Sequence, residues 1–111
     1  MKFELSEKLA IVHVIDSVIQ ADGVIHKGEI NALGKLMKVI DFDTNFIISA
    51  RNVIPEQGNI ILRRMDSPKK AALATMLKEM AKADGFVHQK EITLITELFS
   101  QIGIFEKMEP Y

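Results

Sequence analysis

Residues 21–30 read Ala-Asp-Gly-Val-Ile-His-Lys-Gly-Glu-Ile, and residues 83–92 read Ala-Asp-Gly-Phe-Val-His-Gln-Lys-Glu-Ile. The two segments lie 62 positions apart (residue 21 to residue 83), and eight of the 22 positions in the wider windows 21–42 and 83–104 are identical. An internal repeat of this kind indicates one supersecondary unit that has been built twice. The repeat therefore predicts a fold made of two similar halves.

The composition is that of a globular protein. The chain has 111 residues, of which 48% are hydrophobic and 26% are charged, and its net charge is −1. These values predict one domain spanning 1–111 and exclude a strong overall attraction to nucleic acid or anionic lipid. The absence of cysteine excludes disulfides and thiolate sites. Because the first residues do not resemble a signal peptide, we expect a soluble, cytoplasmic protein that does not bind membranes.

Apolar residues at helical spacing predict a helix from Leu5 to Ala21 and another from Pro68 to Ala83, the second capped by Ser67. After each Asp-Gly pair, five apolar residues recur at the spacing of one helix face. These residues are Ile30, Leu33, Leu36, Met37 and Ile40 in the first copy, and Ile92, Ile95, Leu98, Phe99 and Ile102 in the second. The pattern predicts two pseudo-symmetric helix–turn–helix units, about 5–42 and 67–104.

The intervening stretch, about 43–66, predicts short connecting helices. Asp43-Thr44 can cap a helix that runs to about Asn52, and the Ile54-Pro55 pair ends it because a residue before proline avoids the helical region. Glu56 to Met65 fits a further short helix. No segment shows the alternation of a half-buried strand, so we expect an all-α, single-domain bundle of about five to seven helices.

The repeated turn has a structural interpretation. Gly23 and Gly85 are explained by a backbone with positive φ, which glycine adopts without steric penalty. His26 and His88 fall at the expected N-caps of the following helices. In each copy a glutamate follows the histidine three residues later, which is the spacing of a capping box.

The same residues also have a functional interpretation. Asp22-Gly23 and Asp84-Gly85, each followed by a glutamate, match the second half of a calcium-binding EF-hand loop, although neither loop alone supplies the six to eight oxygens that calcium takes. If the two units pack about a pseudo-twofold axis, their carboxylates could form one shared site. The i, i+3 pairing of histidine with glutamate would instead favour zinc, iron or manganese. The candidate metal ligands are Asp22, Glu29, Asp84, Glu91, His26 and His88.

The doubled Ala-Asp-Gly-x-[Ile/Val]-x-x-x-Glu pattern resembles the TerB family, named for tellurite resistance and related to the N-terminal domain of the co-chaperone DjlA. The resemblance covers about residues 5–104. It implies a helical bundle with an acidic surface near the two Asp-Gly turns that binds a divalent metal, and by position this transfers to Asp22, Glu29, Asp84 and Glu91. The histidines at positions 26 and 88 stand where relatives often have a serine-like cap.

Three classes of function follow from these patterns. We favour a non-enzymatic, TerB-like interaction or sensing module, related to stress or tellurite resistance by resemblance, with a protein partner and a divalent cation of unspecified identity as the cofactor. A homo-oligomer is compatible with the exposed apolar termini. The alternatives are a metal-dependent enzyme that uses the paired His and Glu, and a phosphate or nucleic-acid module that uses central basic residues. Those residues are Arg51, Arg63, Arg64, Lys69 and Lys70.

Overall fold

The computed structural model describes residues 2–20, 27–82 and 89–104. Over these ranges the backbone forms six α-helices and no strand, which confirms the predicted all-α bundle. The helices are α1 (Leu5–Ile19), α2 (Lys27–Ile40), α3 (Thr44–Arg51), α4 (Pro55–Arg64), α5 (Ser67–Lys82) and α6 (Gln89–Ile102). Among these described helices, none is both long and apolar enough to span a bilayer.

The sequence repeat is reproduced in the helix ends. α1 and α5 begin 62 positions apart, and α2 and α6 both begin and end 62 positions apart. The residues that follow α2 and α6, Asp41 and Gly103, have positive φ values of 62° and 79°. The next amide in each copy, from Phe42 or Ile104, donates back to the carbonyl five residues earlier, at 3.1 and 2.8 Å. Both helices thus end in the same left-handed stop, the Schellman motif.

In each unit, a lysine of the first helix reaches the end of the second helix. Lys8 near the start of α1 donates from Nζ to the carbonyl oxygen of Asp41 at the end of α2, at 3.5 Å. In the second unit, Lys70 Nζ lies 3.4 Å from the position that a Cβ on Gly103 would take. The start of the first helix therefore lies beside the end of the second in both copies.

Helix α1 is the centre of the bundle. It packs against α3, α4, α5 and α6, and its buried residues occupy more than half of its circumference. Helix α2, by contrast, packs mainly against α5, the first helix of the other unit. The largest fully buried side chains are Ile11, Ile15, Leu62, Leu73, Leu77, Met80, Ile95, Ile102, Val12 and Val18.

A buried ion pair joins equivalent positions of the two units. Glu7 of α1 is only 8% exposed, and its Oε1 accepts hydrogen bonds from Lys69 Nζ of α5 and from the Glu4 amide, both at 2.8 Å. Glu7 and Lys69 are 62 positions apart. Equivalent residues that touch must lie near the axis relating the two copies, so this pair marks the pseudo-twofold axis.

The environment of the pair shifts both pKa values. Burial alone would raise the pKa of Glu7, but the hydrogen bond from Lys69 and that from the Glu4 amide together outweigh it, so the pKa lies below the usual value. The hydrogen bond to Glu7 raises the pKa of Lys69. Both shifts favour the charged pair.

The caps of the connecting region follow the sequence with one correction. Asp43 caps α3 by accepting from the Phe46 amide at 2.9 Å, as predicted, and Pro55, predicted to end α3, opens α4 one residue before the predicted start at Glu56. The prediction that Ser67 caps α5 is wrong. Asp66 Oδ1 accepts from the Lys69 amide at 3.1 Å, which places Ser67 inside the first turn. Aspartate is at least as good a cap as serine, and its spacing to the third helical amide is the correct one.

We expect opposite effects from exchanging residue types at the two left-handed stops. Gly103→Ala should lower the free energy of unfolding by about 1 kcal/mol, because alanine resists positive φ. Asp41→Gly should raise it by about 0.5–1 kcal/mol, because glycine relieves the same strain. Urea unfolding measures both. A stabilised Gly103→Ala or a destabilised Asp41→Gly would contradict the shared geometry.

We also expect the Glu7–Lys69 pair to make stability depend on pH. The lowered pKa of Glu7 gives a contribution that is present above its unfolded value of about 4.3 and is lost as the pH falls through the folded value. The raised pKa of Lys69 gives a contribution that is present below about 10.4 and is lost as the pH rises through the folded value.

The free-energy difference between wild type and Glu7→Gln should therefore be largest between these limits and should shrink in acid. Urea unfolding over a series of pH values measures it, with the exposed Glu97→Gln of α6 as the control. A difference that stays constant from pH 7 to pH 3 would refute the pair's role.

Candidate functional site

Most of the predicted metal ligands fall outside the described residues. This applies to Asp22, His26, Asp84 and His88, and likewise to the turn glycines. The backbones of Glu29 and Glu91 lie in the first turns of α2 and α6. Among the described residues, no group of three or more His, Cys, Asp or Glu side chains is placed to hold a metal ion. The shared metal site stays a prediction.

The helices that flank the two turns have a defined direction. The end of α2 lies beside the start of α1 through Lys8 and Asp41, and the starts of α1 and α5 meet at Glu7 and Lys69. Because α2 also packs along α5, the two helices run antiparallel, and the start of α2 points toward the end of α5. The helix ends that carry the two repeated turns are therefore directed to one side of the bundle.

Helix α4 covers the groove between α1 and α6, and α3 packs against α1. Gly58 of α4 is buried at a close approach, where an added Cβ would lie 3.3 Å from Val53 Cγ1 and 4.0 Å from Ala10 Cβ of α1. Leu62, one turn further along α4, is completely buried. In α3, the carbonyl of Ala50 accepts from Nδ1–H of His13 at 3.0 Å. His13 of α1 thus helps to hold α3.

Polar contacts hold α4 against α6 and α3 against α1. Asn59 Nδ2 donates to Gln101 Oε1 at 2.8 Å, and Arg63 donates from Nε and Nη2 to the Gln101 carbonyl at 2.9 and 2.6 Å. These bonds satisfy a carbonyl in the last turn of α6, where a cation is also favoured by the helix dipole. Arg51 of α3 pairs with Asp16 of α1 at 3.1 Å.

Three of the five central basic residues make hydrogen bonds within the protein. Arg51, Arg63 and Lys69 all donate to acceptors of the protein itself. Their hydrogen bonds fasten α3, α4 and α5 to the rest of the bundle. A phosphate or nucleic-acid ligand would have to compete with these contacts, so the structure offers that hypothesis no support.

No helix in the described part of the chain covers the equivalent groove between α2 and α5. The groove encloses about 550 Å³. Its lining comprises Asn31, Ala32, Lys35, Leu36 and Val39 from α2, and Met76, Glu79 and Met80 from α5. Each of these positions is the counterpart, 62 residues away, of a position on α6 or α1. Val39, which corresponds to the exposed Gln101 that is bonded to Asn59 of α4, is itself 72% exposed.

The apolar side chains of α2 are less buried than their counterparts on α6. Ile95 and Phe99 of α6 are buried, whereas their counterparts Leu33 and Met37 are only half-buried. Ile30, predicted to face the core, is 55% exposed. The same apolar pattern therefore gives different burial, because α6 contacts α1, α4 and α5 while α2 contacts mainly α5.

Sequence reasoning missed this groove. The signal that could have indicated it was the asymmetry of the repeat at its surface positions: an apolar Val39 against a polar Gln101, and a basic Lys35 against an acidic Glu97. Apolar residues on the outer side of a helix that is otherwise amphipathic are typical of contact surfaces.

Comparisons with known proteins identify the fold but not the family. No protein-family model matches the chain, and no curated protein does. The chain is similar in structure to a protein of unknown function from Porphyromonas gingivalis W83, known from a crystal structure. The TM-score is 0.80 and the identity is 22%, over 97% of this chain and 91% of the other. This likeness shows a shared fold, and the TerB-like resemblance stays a prediction.

Proposed function

We propose that this chain is a small, non-enzymatic protein-interaction module that binds a helical segment of another protein in the groove between α2 and α5. The observation that carries the proposal is the difference between the two halves. In one half, the groove between α1 and α6 is covered by α4 of the chain itself, while no described helix covers the equivalent groove of the other half, which is edged by the exposed Val39. Helix-in-groove binding is a common mode of recognition.

The TerB-like resemblance supports this class of function and adds a divalent cation. In this proposal the cation binds at the two repeated turns, through Asp22, Glu29, Asp84 and Glu91, with His26 and His88 nearby. The antiparallel course of α2 and α5 favours such a site, because it directs the helix ends that flank the turns to one side of the bundle. Helix α2 follows one of the two turns and also forms one wall of the groove. We therefore expect cation binding at the turns to change the affinity for the partner.

The metal component predicts heat of binding in calorimetric titrations with at least one of calcium, magnesium, manganese or zinc. The double variant Asp22→Ala/Asp84→Ala should lose that heat, because it removes one carboxylate from each turn. Asp41→Ala/Asp43→Ala is a control that removes two aspartates elsewhere. Absence of heat with all four metals, or heat that survives the double variant, would remove the cation from the proposal.

The interaction component predicts a partner whose affinity depends on Val39. A protein that co-purifies with the chain, once itself purified, should bind Val39→Glu at least about tenfold more weakly than wild type, because a charge would enter the apolar edge of the groove. Ile60→Glu on α4 is the matched control, since Ile60 is 45% exposed and does not line the groove. Equal affinities of wild type and Val39→Glu would contradict the proposed surface.

A further inference from the structure

We infer that a second copy of this chain covers the α2–α5 groove, in a twofold symmetric dimer that lays α2 of each copy along α5 of the other. This inference rests on the proposed function, because it makes self-association a regulator of the same groove. A helix of another protein then binds only where the dimer has separated.

The charges of the groove lining balance, and one stands on each wall. Lys35 on α2 and Glu79 on α5 are the charged residues among the eight that line the groove. Both side chains are exposed, and neither forms an ion pair or a side-chain hydrogen bond within the described part of the chain. A neutral lining favours neither an acidic nor a basic ligand. It favours a ligand that carries one charge of each sign in the matching arrangement.

A second copy of the chain has that arrangement. Lys35 and Glu79 line one cavity, so they lie at a similar level on two antiparallel helices. A twofold axis that runs parallel to the groove, between two copies facing each other, places α2 of one copy over α5 of the other. Lys35 of each copy then faces Glu79 of the other. Because every contact across such an interface occurs twice, the dimer gains two pairs of opposite charges.

The apolar part of the groove suits the same contact. Val39 at the edge of the groove is 72% exposed, and Met76 and Met80 are buried in its floor. Val39 belongs to α2, the helix that this dimer lays over the other copy. The contact therefore removes Val39 from water on both copies. Methionine side chains adapt their shape to the group that packs against them.

Helix α2 is available for this contact. Among the described helices it packs mainly against α5, whereas its counterpart α6 contacts α1, α4 and α5. In the covered half, a helix of the same chain, α4, lies over the groove, and its Asn59 bonds to Gln101, the counterpart of Val39. In the proposed dimer, a helix of the second copy takes the equivalent place over the other groove.

The test is a charge exchange that is measured by sedimentation velocity over a series of protein concentrations. We expect the wild type to pass from monomer to dimer as its concentration rises through the micromolar range. Lys35→Glu and Glu79→Lys should each raise the dissociation constant of the dimer at least about tenfold, because each places like charges in both contacts. The matched control is Glu97→Lys, which reverses the charge at the α6 position equivalent to Lys35 and should leave the dimer unchanged.

Mixing the two variants makes the test specific. In a mixed dimer of Lys35→Glu with Glu79→Lys, both contacts again join opposite charges. The equimolar mixture should therefore dimerise about as well as the wild type, although each variant alone does not. Because the complementing residues lie on different chains, no change within one chain explains this recovery. Circular dichroism verifies that both variants are folded, which we expect because both side chains are exposed.

The remaining outcomes overturn the inference in distinguishable ways. If the wild type stays monomeric at millimolar concentration, if neither charge reversal weakens the dimer, or if mixing restores nothing, the second copy does not cover the groove. The proposed function still stands in these cases when a purified partner binds Val39→Glu more weakly than wild type. If that partner binds both equally, both fail. If the chain dimerises only after residues 105–111 are removed, its own C-terminal segment is the occupant and the inference is wrong.

Discussion

The burial of α1 is the constraint on which the rest of the bundle depends. Its side chains are apolar on most of its circumference, and a helix of that kind must be surrounded by protein to remove them from water. Four other helices pack against it, among them α3 and α4, the two helices of the connecting region. The one charged residue buried on α1, Glu7, is tolerated because Lys69 and a backbone amide satisfy it.

The two halves share their helix arrangement because the sequence is repeated, and they differ at the surface because the two copies have diverged. The helix ends, the left-handed stops and the lysines beside them recur at an offset of 62 positions. These features are local or lie close to the pseudo-axis, where both copies meet the same neighbours. Away from the axis the copies meet different neighbours, since α4 covers one groove and no described helix covers the other. The surface residues there differ in charge and polarity, as Lys35 and Glu97 do.

This division explains how much could be predicted from the sequence. The helices, the Asp43 cap and the end of α3 before Pro55 depend on short-range chemistry, which residue spacing reports directly. The cap of α5 was assigned to Ser67 instead of Asp66 because both fit a start signal, and only the observed hydrogen bond distinguishes them. The exposure of Ile30 and the groove between α2 and α5 depend on which helix covers which, and a periodic pattern carries no such information. Of the six predicted metal ligands, only Glu29 and Glu91 lie in described helices, and only their backbones are described.

The asymmetry also bears on stability and binding together. A covered groove contributes to folding through α4, with its buried Leu62 and the bonds of Arg63 to α6. On α2, Leu33 and Met37 are half-buried, so part of the apolar surface that could stabilise the fold remains in contact with water. A ligand that binds only the folded state and covers this surface would stabilise the protein by mass action. The half of the molecule with the unused apolar surface is thus the half in which binding has the most free energy to gain.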